Sequence, residues 1–119
     1  MSKTGVGYYD KDGNPIDLMT WGKLVEDRFY SVLAQDIVGP FRISTVWMGL
    51  DHNWCQHEIH IFETMIFSDD PGHDLDHYQK RYGNKEAALK GHAQTLRMTK
   101  MRYASMLRDQ ESFGEENKN

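Results

Sequence analysis

Apolar residues recur along the chain with two different periods. Leu18, Trp21, Val25, Phe29 and Val32 return every three or four residues, the spacing of one helix face. Asp17 or Thr20 can cap that helix, the pattern carries it to about Leu33, and Gly39-Pro40 stops any continuation. Phe41 to Leu50 and His57 to Phe67 are rich in β-branched and aromatic residues and read as strands. Asp51 to Gln56 lies between them as a loop, so the two are expected to pair as an antiparallel hairpin. Tyr78 to Tyr82 reads as a fourth, short edge strand. Tyr8 to Ile16 reads as a small hairpin turning at Asp12-Gly13. A second helical pattern begins at Asn84, a good N-cap, and runs to about Arg108. Its apolar stripe is Leu89, Ala93, Leu96, Tyr103 and Leu107, interrupted by Lys100. The expectation is an α+β domain over residues 1–108, an antiparallel meander of three to five strands with two helices packed on one face, followed by a polar, frayed tail over 109–119. Trp21 and Phe29 of the first helix, and Leu89 and Leu96 of the last, are expected to pack on the sheet.

Three phrases stand out within this frame. They are Ser44-Thr45-Val46-Trp47-Met48-Gly49-Leu50-Asp51-His52, Ile61-Phe62-Glu63-Thr64-Met65-Ile66-Phe67, and Arg81-Tyr82-Gly83-Asn84-Lys85-Glu86-Ala87-Ala88-Leu89-Lys90-Gly91-His92. They resemble a recurrent family of small proteins of tailed phages and prophages, which carries the same phrases in the same order with a variable loop between the first two. The resemblance spans about residues 41 to 92. It implies a phage or prophage origin and brings with it no activity, cofactor or catalytic residue.

Several polar residues are candidates for chemistry. Side chains alternate along a strand, so Glu63 shares a face with Ile59, Ile61, Met65 and Phe67. A carboxylate among apolar neighbours needs a partner. It reads either as a ligand-binding or acid/base group, or as one half of a structural pair with an arginine or a helix N-terminus. Asp51 and His52 sit at the hairpin mouth, and His92 lies beside Leu89 and Leu96 on the long helix. If Asp51, His52, Glu63 and His92 converge, two imidazoles and a carboxylate suit a metal-assisted hydrolase. No paired-histidine spacing fixes two of them together, so no metal and no cofactor is assigned. His57 and His60 fall on opposite faces of a strand. Cys55 has His52 and His57 near it in sequence, but no base at a fixed spacing. Asp69, Asp70, Asp74 and Asp76, with His73 and His77, form an acidic loop without a recognised coordination pattern.

Charge changes the picture more than composition does. The chain has 119 residues, 39% hydrophobic, with a net charge of −4. Residues 1–79 carry 5 Lys and Arg against 13 Asp and Glu, whereas residues 80–108 carry 8 against a single Glu. Lys90, Arg97 and Arg108 lie near one face of the long helix, a stripe that can attract a phosphate, a nucleotide or an acidic protein surface. Alternatively the basic helix lies across its own acidic body. The acidic total and the lack of a docking motif argue against duplex DNA. No apolar run approaches the ~18 residues that span a bilayer. Met1 to Gly5 has no signal-peptide core, and one cysteine permits no internal disulfide, so the default compartment is the cytoplasm, that of the host if a phage encodes the chain.

These features favour a non-enzymatic accessory protein, of a counter-defence kind, acting by binding. It would sequester a small anionic, nucleotide-like ligand or block a host protein. For a nucleotide, the hairpin mouth and the start of the long helix would make the pocket. Trp47, Trp54 and Tyr82 would stack on a base, Arg81 and the helix N-terminus would meet a phosphate, and Asp51, His52, Glu63 and His92 would complete the lining. The rival readings are the hydrolase using His52, Glu63 and His92, and a structural or assembly protein whose Met and Trp surface makes an oligomer.

Overall fold

A computed structural model of the chain describes residues 7–51 and 59–116, with side chains as far as Glu111. A short strand β1 (Gly7–Tyr8) leads into a tight turn, in which the Asp10 carboxylate accepts from the backbone N–H groups of Asp12 and Asn14 at 3.0 and 2.9 Å. Helix α1 (Leu18–Glu26) follows, and Asp17 caps it by accepting from the Thr20 N–H at 2.7 Å. That N–H holds the Asp17 carboxyl below the usual carboxylate range.

The helix does not continue to Leu33. Asp27 closes α1 with its own N–H on the Leu24 carbonyl, and its side chain accepts from Phe29 and Tyr30 to start a four-residue helix α2 (Arg28–Ser31). Val32–Val38 is then a strand, β2, where β-branched Val32, Ile37 and Val38 favour extended backbone. The break resets the helical phase. Phe29, expected in the core, is 98% exposed, whereas Trp21 packs inward and donates from its indole to the Met48 carbonyl at 2.8 Å.

The Gly39-Pro40 turn, with positive φ at Gly39, reverses the chain into β3 (Phe41–Trp47). A short strand β4 (Leu50–Asp51) pairs with β1. Then come β5 (Phe62–Ser68), the edge strand β6 (Gln79–Tyr82) and one long helix, α3 (Lys85–Glu116), which runs past Arg108 to Glu116. The main sheet is an antiparallel meander ordered β2-β3-β5-β6, with Thr45 opposite Thr64 and Glu63 opposite Arg81. The α+β class and the meander are as the sequence predicts.

Two apolar clusters lie on the face of the sheet that α3 covers. Phe41, Ile43, Ile66, Val38 and Leu75 form one, flanked by Leu96, Tyr103 and Met106. Trp47, Ile61, Phe62, Tyr82 and Ala88 form the other. Trp47 ties the second together. Its indole donates to the Tyr9 carbonyl at 3.1 Å, and Tyr30 meets it edge-on at 4.9 Å. Gly49, at φ 65°, lies so close that any Cβ there would overlap the indole.

Helix α3 buries only part of the stripe that periodicity selects: Leu96 and Tyr103 pack against the first cluster, Leu96 as expected, but the rest faces outward. Leu89 and Leu107 are 41% and 43% exposed, and Ala93 is exposed as well. The face against the sheet is Ala88, Gly91, His92, Thr95 and Thr99. Small residues let the helix approach closely, so that the Tyr82 ring lies against the Gly91 backbone. Thr95 and Thr99 donate their hydroxyls back to the Gly91 and Thr95 carbonyls at 2.8 Å, which satisfies both buried hydroxyls within the helix itself.

The buried and exposed positions separate on truncation. Ile43→Ala is expected to lose about 2–5 kcal/mol of unfolding free energy, and Phe29→Ala to change it by no more than about 0.5 kcal/mol, both read by denaturant unfolding.

Candidate functional site

The sheet sorts the candidate residues by face. Glu63 points away from α3, and its side chain is 9% exposed. Its Oε2 accepts from Arg81 Nε at 3.1 Å and from the Gln79 amide, both side chains coming from the neighbouring edge strand β6. Gln35 and Ser44 make a similar polar pair on the same face at 3.1 Å. Glu63 is therefore held as one half of a cross-strand ion pair, the structural alternative raised for it.

His92 lies under α3, on the opposite face. Its Nε2 is 2.7 Å from Asp36 Oδ2, its Nδ1 is 2.7 Å from Thr45 Oγ1, and Thr45 Oγ1 is 2.5 Å from Thr64 Oγ1. The ionised carboxylate can only accept, so Nε2 carries a proton and donates to it. In the neutral ring Nδ1 then accepts from Thr45, and Thr45 accepts from Thr64. Every polar group of this chain has a partner, and the chain joins β2, β3, β5 and α3. It has the elements of a nucleophilic triad, but the Thr45 and Thr64 side chains are fully buried, so no substrate reaches them. Asp36 lies on a segment the sequence reads outside both main strands, and Thr45 and Thr64 read only as strand filler. Their one signal is that the two hydroxyls fall on the core face by alternation.

Glu63 and His92 do not converge, because the sheet separates them. Trp47 and Tyr82 are packed in the core at 1% and 8% exposure. Arg81 lies beside Glu63. Asp51 is buried on β4, paired with Gly7. His52 and Trp54, together with Cys55 and His57, lie outside the described residues, so the hairpin mouth enters no statement of geometry. Asn84 caps α3 by accepting from the Ala87 N–H at 2.8 Å.

The acidic loop is anchored. Leu75 is buried in the first cluster, and the Asp76 carboxylate accepts from the Ser68 N–H at 2.9 Å. Arg102 of α3 donates to Asp74 at 2.7 Å, and that guanidinium holds the Asp74 carboxyl below its usual range. Among the described residues no three His, Cys, Asp or Glu side chains are grouped so as to hold a metal ion. A cleft of about 540 Å³ opens between the Gly39-Pro40 turn, Asp69, Asp70, His73 and the Tyr103–Gln110 stretch of α3.

The outer face of α3 has a different character. Arg102 and Asp74 form the one ion pair between the helix cations and the acidic body among the described residues. Lys85, Lys90, Arg97, Lys100 and Arg108 make none, and they share the exposed side with Leu89, Met101 and Leu107. Among the described residues the basic helix thus spends only Arg102 on its own body.

In comparisons with known proteins, no family model, curated protein or solved structure matches the chain.

Two substitutions separate the networks. Arg81 is 42% exposed, so Arg81→Ala is expected to cost about 1–2 kcal/mol, between the values for surface and buried pairs. His92→Ala strips partners from Thr45 and Asp36 and is expected to cost about 2–4 kcal/mol. Chemical denaturation of each variant reads both.

Proposed function

We propose that this is a phage or prophage accessory protein that acts by binding a protein partner, a host protein in that setting, rather than by catalysis. The single observation that carries the reading is the outer face of α3, where five cations that make no ion pair among the described residues lie beside exposed apolar side chains. Unpaired charge beside exposed apolar surface is the make-up of an interaction site. The resemblance of three phrases to a phage and prophage family supports the setting. The interior supports the absence of chemistry, because Glu63 and His92 are both engaged in holding the fold.

The small-anion reading draws no support from the described residues. Trp47 and Tyr82 are covered, and Arg81 faces a carboxylate. No described helix is long and apolar enough to cross a membrane.

The test is charge reversal on the outer face. The triple variant Lys90→Glu, Arg97→Glu, Arg108→Glu is expected to keep the wild-type melting temperature, since all three side chains are exposed. It is expected to lose the partner that cross-linking in infected cells attaches to the wild-type protein. If the variant retains the same cross-linked partner at the same yield, the outer face of α3 is not the working surface.

A further inference from the structure

We infer that the outer face of α3 docks an acidic amphipathic helix of the partner protein, laid along the strip from Leu89 to Leu107. The inference rests on the binding reading above and names the partner's chemistry.

Leu89, Ala93, Lys100, Ala104 and Leu107 follow one another at spacings of four, seven, four and three residues. Ala93, Lys100 and Leu107 recur every seven residues, and at about 3.6 residues per turn Leu89 and Ala104 fall on the same side of the helix as these three. The strip is about 27 Å long at 1.5 Å per residue. It is not consumed by the fold, because the sheet takes the Ala88, Gly91, His92, Thr95 and Thr99 side instead. Ala93 and Ala104 keep its middle low, so another helix can come close between the two leucines. Lys90, Arg97 and Arg108 run along one flank, and Lys100 lies within the strip. None of the four makes an ion pair within the described residues.

The charge decides between the candidate occupants. A second copy of α3 would bring cations against cations along the whole seam, and like charges juxtaposed at an interface repel. A nucleic acid satisfies the cations but leaves Leu89, Ala93, Ala104 and Leu107 against phosphates, with no aromatic side chain on the strip to stack on a base. Its charge would also continue past the strip toward a body holding 13 acidic residues in its first 79. A helix with apolar residues along its seam and Asp or Glu beside them satisfies both the leucines and the cations, and its charge ends where the strip ends.

The probe is a synthetic acidic helix of about three heptads, with Leu at the seam positions and Glu at the flanks. Two controls accompany it: the same peptide with Lys in place of each Glu, and a labelled oligothymidylate. Fluorescence anisotropy against the full chain is expected to show binding of the acidic peptide alone, weakening steeply as salt is raised. Arg97→Glu with Lys100→Glu is expected to weaken it about tenfold or more. Leu107→Asp is expected to weaken it while leaving the helical circular dichroism and melting temperature unchanged.

Failure of the acidic peptide to bind, or binding that neither substitution weakens, overturns the inference. Preferential binding of the oligothymidylate overturns it in favour of nucleic acid. If the peptide fails while charge reversal still removes the cross-linked partner, the docking face stands and only the partner's helical class falls. If both fail, the binding reading falls with it.

Discussion

Thr45 and its neighbour Thr64 have no water to turn to, and their hydroxyls stand at the centre of the sheet with α3 lying directly over them. Burying two hydroxyls costs free energy unless each finds a partner. His92 supplies it, and because an imidazole has two nitrogens it passes the requirement on to Asp36 on β2. One chain of hydrogen bonds therefore fixes how far α3 slides along the sheet, how it is rotated, and where β2 sits against it. A rotation of α3 that buried Leu89 and Leu107 would take His92 out of the interface and leave the hydroxyls unpaired. The polar chain thus selects among packings that the apolar clusters alone would tolerate.

The rest of α3 follows from that rotation. Once His92 faces inward, the other positions on its side of the helix must be small or self-satisfied, as Ala88, Gly91, Thr95 and Thr99 are. The opposite side keeps its leucines and its cations in solvent. The acidic body meets the helix through Arg102 and Asp74, which fastens the loop after β5 to the helix without neutralising the basic face.

Much of this was legible in the sequence, and the losses have physical causes. The strands around Trp47 and Glu63, the edge strand ending at Tyr82 and the Asn84 start of α3 follow from β-branched runs, alternation and capping. β2 was hidden because Val32 and Leu33 extend a helical spacing that Asp27 has already ended, and a cap that closes one helix while opening another leaves no mark in periodicity. The inner face of α3 was hidden because threonine counts as polar in a pattern, although a hydroxyl bonded back to its own helix is satisfied there. For the candidate site, a structural pairing of Glu63 with an arginine was within reach of alternation. The Asp36, Thr45, Thr64 and His92 chain was not, since its members lie up to 56 residues apart in sequence and none is unusual alone.

The two sides of α3 answer to different constraints, and that bears on how the protein can change over generations. Substitutions at Lys90, Arg97, Lys100 or Leu107 meet solvent and leave the interior as it was, whereas those at Gly91, His92 or Thr95 disturb it at once. The outer side is in effect a writable label on a fixed spool. A lineage can drift in what it recognises while the scaffold stays constant, and two relatives with the same inner residues need not share a target.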